Sequence, residues 1–241
     1  MSTTSHSTSA LNHSAVISAT KNDGGRLFEV KAIQESHDGR ERLEQYISSI
    51  FSAAYGARIL EYLPLLFSLE NGSGRQAALG LRSANCGPLF CEQYLDKSAE
   101  QYVEILYGKE APRSQIMEMG NLVATQAGLS GLLYIIIAAA IHEAGIDYLM
   151  FAANKRVRNS IARFGFTPRT IHAAEQSCLG EKGLEWGCYY EGEPVVMLAD
   201  IPRTMEQIQA QPALKKLVGR YQYVIPSLAD SIRSLTVGSL G

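Results

Sequence analysis

Ser114-Gln115-Ile116-Met117-Glu118-Met119-Gly120-Asn121-Leu122-Val123 opens the stretch that decides the fold, and it alternates well enough to predict a β-strand. Thr125-Gln126-Ala127-Gly128-Leu129-Ser130-Gly131 follows as a short glycine-bearing loop. Leu132–Ala144 is almost wholly apolar and predicts a buried helix, closed by Gly145 as its C-cap. Asp147-Tyr148-Leu149-Met150-Phe151-Ala152 reads as a buried strand. Asn154–Phe164 reads as a cationic helix, ended by Gly165-Phe166-Thr167-Pro168. Strand, loop, helix, strand and helix in this order imply a parallel pair with a right-handed crossover, set in a mixed sheet.

Upstream, Leu43, Ile47 and Phe51 join Arg42, Tyr46 and Ile50 in an amphipathic helical pattern. Two apolar runs, Tyr62–Leu69 and Gln76–Leu81, flank an Asn71-Gly72 turn and predict a β-hairpin whose first strand Pro64 delays or confines to an edge. A third strand is expected at Leu89–Tyr94 and a short helix near Ala99–Tyr107. Downstream, Cys188-Tyr189-Tyr190 and Pro194–Leu198 suggest a closing hairpin, and the chain from Thr204 looks helical and then loose. Residues 1–25 are rich in small polar side chains and read as a disordered tail. The expected organisation is therefore that tail, an α/β domain over 26–202 and a helical extension over 203–241.

Composition narrows the function. The chain has 241 residues, 46% of them hydrophobic, enough for a substantial core. A net charge of −2 offers no basic field for nucleic acid and no polybasic membrane anchor. The run Leu132–Ile141 is about half of the roughly 20 residues that a membrane span needs. Cys86, Cys91, Cys178 and Cys188 form no C-x-x-C pair, so no metal site is expected. Free thiols and no apparent signal peptide favour a cytoplasmic location.

Four segments carry a resemblance: Leu89–Asp96, Glu118-Met119-Gly120-Asn121-Leu122, Arg158–Gly165 and Trp186-Gly187-Cys188-Tyr189-Tyr190. In this order they resemble the thermostable hemolysin family, whose members look like GNAT-fold proteins. The Glu-x-x-Asn-Leu strand before an apolar helix is also weakly similar to acyl-homoserine lactone synthases. The resemblance implies an α/β fold with a GNAT-like, strongly twisted mixed sheet flanked by helices. It further implies an acyltransferase that moves an acyl group from a phosphopantetheine thioester, acyl-CoA or acyl carrier protein, to a small amine or hydroxyl acceptor. No tightly bound cofactor is implied. Two rivals stand beside it: a non-catalytic binding module of the same fold, and the membrane-active hemolysin of the family name.

The resemblance also assigns roles. Gln126, Gly128, Ser130 and Gly131 match the loop that holds a cofactor pyrophosphate on backbone N–H groups at a helix N-terminus, although the leading Gln is displaced by one position. Leu122 and Val123 would lie along the pantetheine arm, with Asn154 and Arg158 on the helix beyond. Glu118 is the candidate base, or else a structural carboxylate paired with Arg113 or Arg158. Asn121 either orients substrate or bridges strands. Apart from the resemblance, Glu92 and Tyr94 on one face of the expected third strand either bind the acceptor or form an exposed edge with one core tyrosine. Arg42 and Tyr46 on the first helix either line the acceptor side or simply belong to its amphipathic pattern. The usual position of the general-acid tyrosine holds Ile161, so either Tyr189 or Tyr190 takes that role, or both are sheet aromatics and the thiolate leaves without an acid. Lys155, Arg156 and Arg158 crowd a helix start, where cations oppose the dipole; they either form a solvated surface patch or are relieved there by an anion. Cys91 and Cys188 lack a histidine in any comparable motif.

Overall fold

The computed structural model describes residues 28–236, so the expected tail over 1–25 lies outside the described residues. Seven strands form one mixed sheet: β1 (Glu29–Gln34), β2 (Leu65–Asn71), β3 (Gly74–Ser83), β4 (Ile116–Ala124), β5 (Tyr148–Ala153), β6 (Arg169–Ala173) and β7 (Val195–Asp200). Their spatial order is β1-β2-β3-β4-β5-β7-β6. Every pairing is antiparallel except that of β4 with β5, which is parallel. The connection between those two is the helix α3 (Leu129–Glu143), as the pattern over 113–166 predicts. The β2–β3 hairpin turns at Asn71–Gly74, where Asn71 Oδ1 accepts the Ser73 N–H at 2.9 Å, and Pro64 sits just before the first strand.

The helices divide between the two faces. On one, α3 lies against Met117, Met119, Leu149 and Phe151 and is covered in turn by α5 (Ile201–Ala210), α6 (Pro212–Arg220) and α7 (Ile225–Thr236). Covering on both sides explains why the α3 sequence is apolar all round. Ile135, Ile136, Ile137 and Ile141 are sealed, each contributing roughly 1.5–3 kcal/mol of transfer free energy. On the opposite face α1 (Arg40–Tyr55) packs Leu43, Ile47 and Phe51 over Ile33, Leu66, Ala78 and Val123. Beside it, α2 (Ala99–Tyr107) and several 3₁₀ segments cover Ile116, Tyr148, Met150, Val196 and Leu198. The last helix of the crossover unit, α4 (Lys155–Arg163), is capped by Asn154, whose Oδ1 accepts the Val157 N–H at 3.1 Å.

Four expectations change. Leu89–Tyr94 is no strand: Phe90–Tyr94 is a 3₁₀ turn. The closing hairpin joins β7 to β6, while Tyr189–Gly192 is another 3₁₀ turn. β1 and β6 are absent from the sequence reading because both are short edge strands without clean alternation. The residues set apart from 203 onward begin inside α5, and Ile208, Leu214, Tyr221, Leu228 and Ile232 belong to the same apolar cluster as α3. α7 also reaches β1, through a hydrogen bond from Gln34 Nε2 to Ser234 Oγ at 3.2 Å.

Candidate active site

The parallel pair β4/β5 parts halfway along. Its register runs from Ile116↔Tyr148 to Met119↔Phe151 and stops, although β4 continues to Ala124 and β5 to Ala153. A bulge in β4 accompanies the separation: Ala78 faces Val123 while Gly80 faces Gly120, so the extra residue lies in β4. Asn121 takes up that extra length at φ 52°, a left-handed conformation that asparagine tolerates better than most residues. Its side chain is spent on structure. Asn121 Oδ1 accepts the Leu63 N–H at 2.9 Å, and Nδ2 donates to the Glu61 carbonyl at 3.3 Å. Leu63 in turn lies against Gly80 and Gly120, and a Cβ on Gly80 would stand 2.8 Å from the Leu63 Cβ.

Beyond the bulge, Leu122 and Val123 run along the β4 edge that β5 has left, toward the loop at Gln126–Gly128, which is exposed. Gly128 (φ 90°) is the N-cap of α3 and provides no side-chain cap, which leaves helix N-terminal donors such as the Ser130 N–H for a ligand. Gly131 serves packing as well, because a Cβ there would meet the Phe164 ring at 2.5 Å.

Glu118 points from β4 to the face carrying α1 and α2, only 2% exposed. The N–H groups of Phe90 and Cys91 donate to its Oε2 and Oε1 at 2.9 and 2.6 Å. It pairs with neither Arg113 nor Arg158. Burial pushes its carboxyl above the usual range, while the two N–H groups, the Cys91 thiol and the nearby Arg82 guanidinium pull it back. Arg82 is the direct cross-strand partner of Glu118 and forms an ion pair with Glu61. Burial pushes the Cys91 thiol far up, and the Glu118 charge adds to the effect, so Cys91 is a poor nucleophile.

An aromatic group spans the seam beside Glu118. The Trp186 ring lies 5.8 Å from Phe90, 6.1 Å from Phe51 and 5.2 Å from Tyr189. Tyr94 and Tyr190 share a hydroxyl hydrogen bond of 2.6 Å. Tyr189 packs edge-on to Tyr55 at 5.2 Å, and burial raises its phenol above the ordinary value. Tyr55, on α1, takes a 3.0 Å hydrogen bond from Asn154 Nδ2, which ties α1 to the end of β5. Both ends of the Asn154 side chain are thus engaged by protein. Arg158 Nη1 donates to the carbonyls of Ala153 and Glu193 at 2.9 and 2.6 Å, while Lys155 and Arg156 remain exposed.

Three acceptor-side residues do not gather here. Glu92 accepts from the Leu89 and Ala99 N–H groups and is bridged by Arg113, which also holds Glu100. It therefore braces the 3₁₀ turn and does not share a strand face with Tyr94. Arg42 and Tyr46 lie near Arg75, whose Nη1 donates to the Arg42 carbonyl at 3.2 Å. Arg75 is seven positions along β3 from Arg82, roughly 20 Å away at strand spacing. The Tyr46 phenol, pushed up to about 12 by burial with Arg75 pulling the other way, has no hydrogen-bond partner. Sequence reasoning missed Arg82, Glu61, Phe90 and Tyr55. Only the alternation of β3, which sets Arg82 on the face of Gly80, carried any hint of the first.

A mixed sheet with one parallel pair, parted beside a bulged strand and flanked by helices on both faces, defines a GNAT-like α/β protein. The chain belongs to the thermostable hemolysin family, whose model matches residues 33–205. The same fold occurs in the acyl-homoserine lactone synthase LasI, 14% identical at a TM-score of 0.50, covering 73% of this chain and 91% of that one. It occurs also in FeeM, an N-acyl amino acid synthase from uncultured soil microbes, with 14% identity, a TM-score of 0.50 and coverages of 78% and 98%. BjaI, a CoA-dependent acyl-homoserine lactone synthase solved with MTA, is similar at 16% identity and a TM-score of 0.50, covering 80% and 90%. No curated protein matches the chain. No helix among the described residues is long and apolar enough to cross a membrane.

Proposed function

We propose that the protein is an acyltransferase that moves an acyl group from a phosphopantetheine thioester onto a small amine. The observation that carries this reading is the parting of β4 from β5 after Met119 and Phe151, next to the buried Glu118. The free β4 edge at Leu122 and Val123 offers backbone groups to the amides of a pantetheine arm, and the uncapped start of α3 offers N–H groups to its phosphate. The exposed Lys155 and Arg156 add positive charge at the start of α4. Acyl-CoA and acyl carrier protein both present this arm, and either serves as donor.

The incoming ammonium must lose two protons for its nitrogen to bond to the thioester carbonyl carbon as the C–S bond breaks. One proton leaves through Glu118 to solvent. The other reaches the departing thiolate by way of Tyr189, which gives up its phenol proton and recovers one from the nitrogen.

The test is to incubate purified protein with acyl-CoAs and acyl carrier proteins against a panel of amines and to detect products by mass spectrometry. Glu118→Gln is expected to lower turnover by about 10²–10⁴-fold. If neither donor acylates any amine, or if Glu118→Gln turns over like the parent, the reading fails.

A further inference from the structure

We infer that the acceptor is an α-amino acid, with its carboxylate on Arg82 and its amine turned toward Glu118. This rests on the acyl-transfer reading above. Arg82 and Glu118 stand directly opposite each other on β3 and β4, where side chains on one face are about 4.5–5.5 Å apart at Cβ. A cation and an anion at that separation complement the two charged ends of one small zwitterion. A simple amine would use only Glu118.

Arg82 already holds a carboxylate of the protein itself. Arg82 is paired with Glu61, an exposed residue on the segment between α1 and β2. That segment is placed by the bulge itself, since Asn121 holds the Glu61 carbonyl and the Leu63 N–H. Glu61 is the exposed partner of a half-buried Arg82, so its carboxylate can swing into solvent and an acceptor carboxylate can take its place on the guanidinium fork. Phe90, whose N–H is bonded to Glu118, and Trp186, 5.8 Å from it ring to ring, stand beside the same pair. Both are half-buried and suit an apolar or aromatic amino-acid side chain. In the reaction the new bond joins the α-nitrogen to the acyl carbon and the C–S bond breaks. One ammonium proton leaves by Glu118, the other goes to the thiolate, and the carboxylate stays unchanged on Arg82.

The experiment compares phenylalanine with phenethylamine, which differ only in the carboxylate, using whichever donor supports turnover. The parent protein is expected to favour phenylalanine by about 10²-fold in kcat/KM, the scale of a charge-assisted pair. Arg82→Gln should collapse that ratio toward one, mainly through KM for phenylalanine. Glu61→Gln, an exposed change that leaves folding alone, should lower KM for phenylalanine by freeing the guanidinium. The inference is overturned if the parent protein acylates phenethylamine as well as phenylalanine, if Arg82→Gln weakens both acceptors by the same factor, or if Glu61→Gln leaves KM for phenylalanine the same or higher. In each case transfer to amines still stands. Failure to acylate any amine at all overturns the acyl-transfer reading with it.

Discussion

Replacing Gly131 by alanine is expected to destabilise the protein, although the same change inside a helix ordinarily stabilises by about 1 kcal/mol. Gly131 lies in the first turn of α3, and its added Cβ would stand 2.5 Å from Phe164 Cε2 and 2.8 Å from Cζ. That ring has little room to retreat. Tyr134 meets it edge-on at 5.9 Å and Phe166 stacks on it at 6.1 Å. Overpacking of this kind costs about 1–3 kcal/mol, so the net loss is about 1 kcal/mol. For a domain of this size the corresponding drop in Tm is about 2–4 °C. Thermal and urea unfolding followed by circular dichroism would measure it. In a Phe164→Leu background the clash is removed, and the same Gly131→Ala change should then raise stability by about 1 kcal/mol. A rise in Tm for Gly131→Ala alone would falsify the packing argument.

Asn121→Ala should lie about 1 kcal/mol below Asn121→Gly in urea unfolding, because both lose two hydrogen bonds but only alanine must hold φ 52° against its Cβ; equal midpoints would remove the strain argument. The Glu92 carboxyl is held below 4.5: burial pushes it up, but Arg113 and the Leu89 and Ala99 N–H groups push it down further. A depressed folded pKa gives stability that is present above 4.5 and lost as pH falls through the folded value. Glu92→Gln should therefore be less stable than the parent near neutral pH, with the gap closing well below 4.5, and a gap independent of pH would contradict this. Glu118 shifts the opposite way, so turnover should rise with pH through an apparent pKa above 4.5, and any activity left in Glu118→Gln should lack that limb.

The stretch from 113 to 166 was legible because its signals are local. Alternation marks β4, an apolar run with a closing Gly145 marks α3, and the Asn154 cap marks α4. Leu89–Tyr94 misled for the opposite reason. Its N–H groups find their partner in Glu118, 27 positions along the chain from Cys91, and nothing nearby announces a 3₁₀ turn held by a distant carboxylate. Arg169–Ala173 is largely exposed on an edge, so its pattern carries no burial to read. In the site, Glu118 and the loop at Gly128 were visible as residue types in the right order. Arg82, Glu61 and Tyr55 were not, because what matters about each is a partner supplied by tertiary contact.

The strand β1 and the helix α7 sit together although about 200 positions separate them, as the Gln34–Ser234 bond records. Val30 of β1 shares an apolar cluster with Leu228 and Ile232 of α7. During synthesis β1 is therefore made about 200 residues before the helix that shelters its flank. Until then the apolar side of β1 around Val30 lacks its cover, and a growing chain can associate through it.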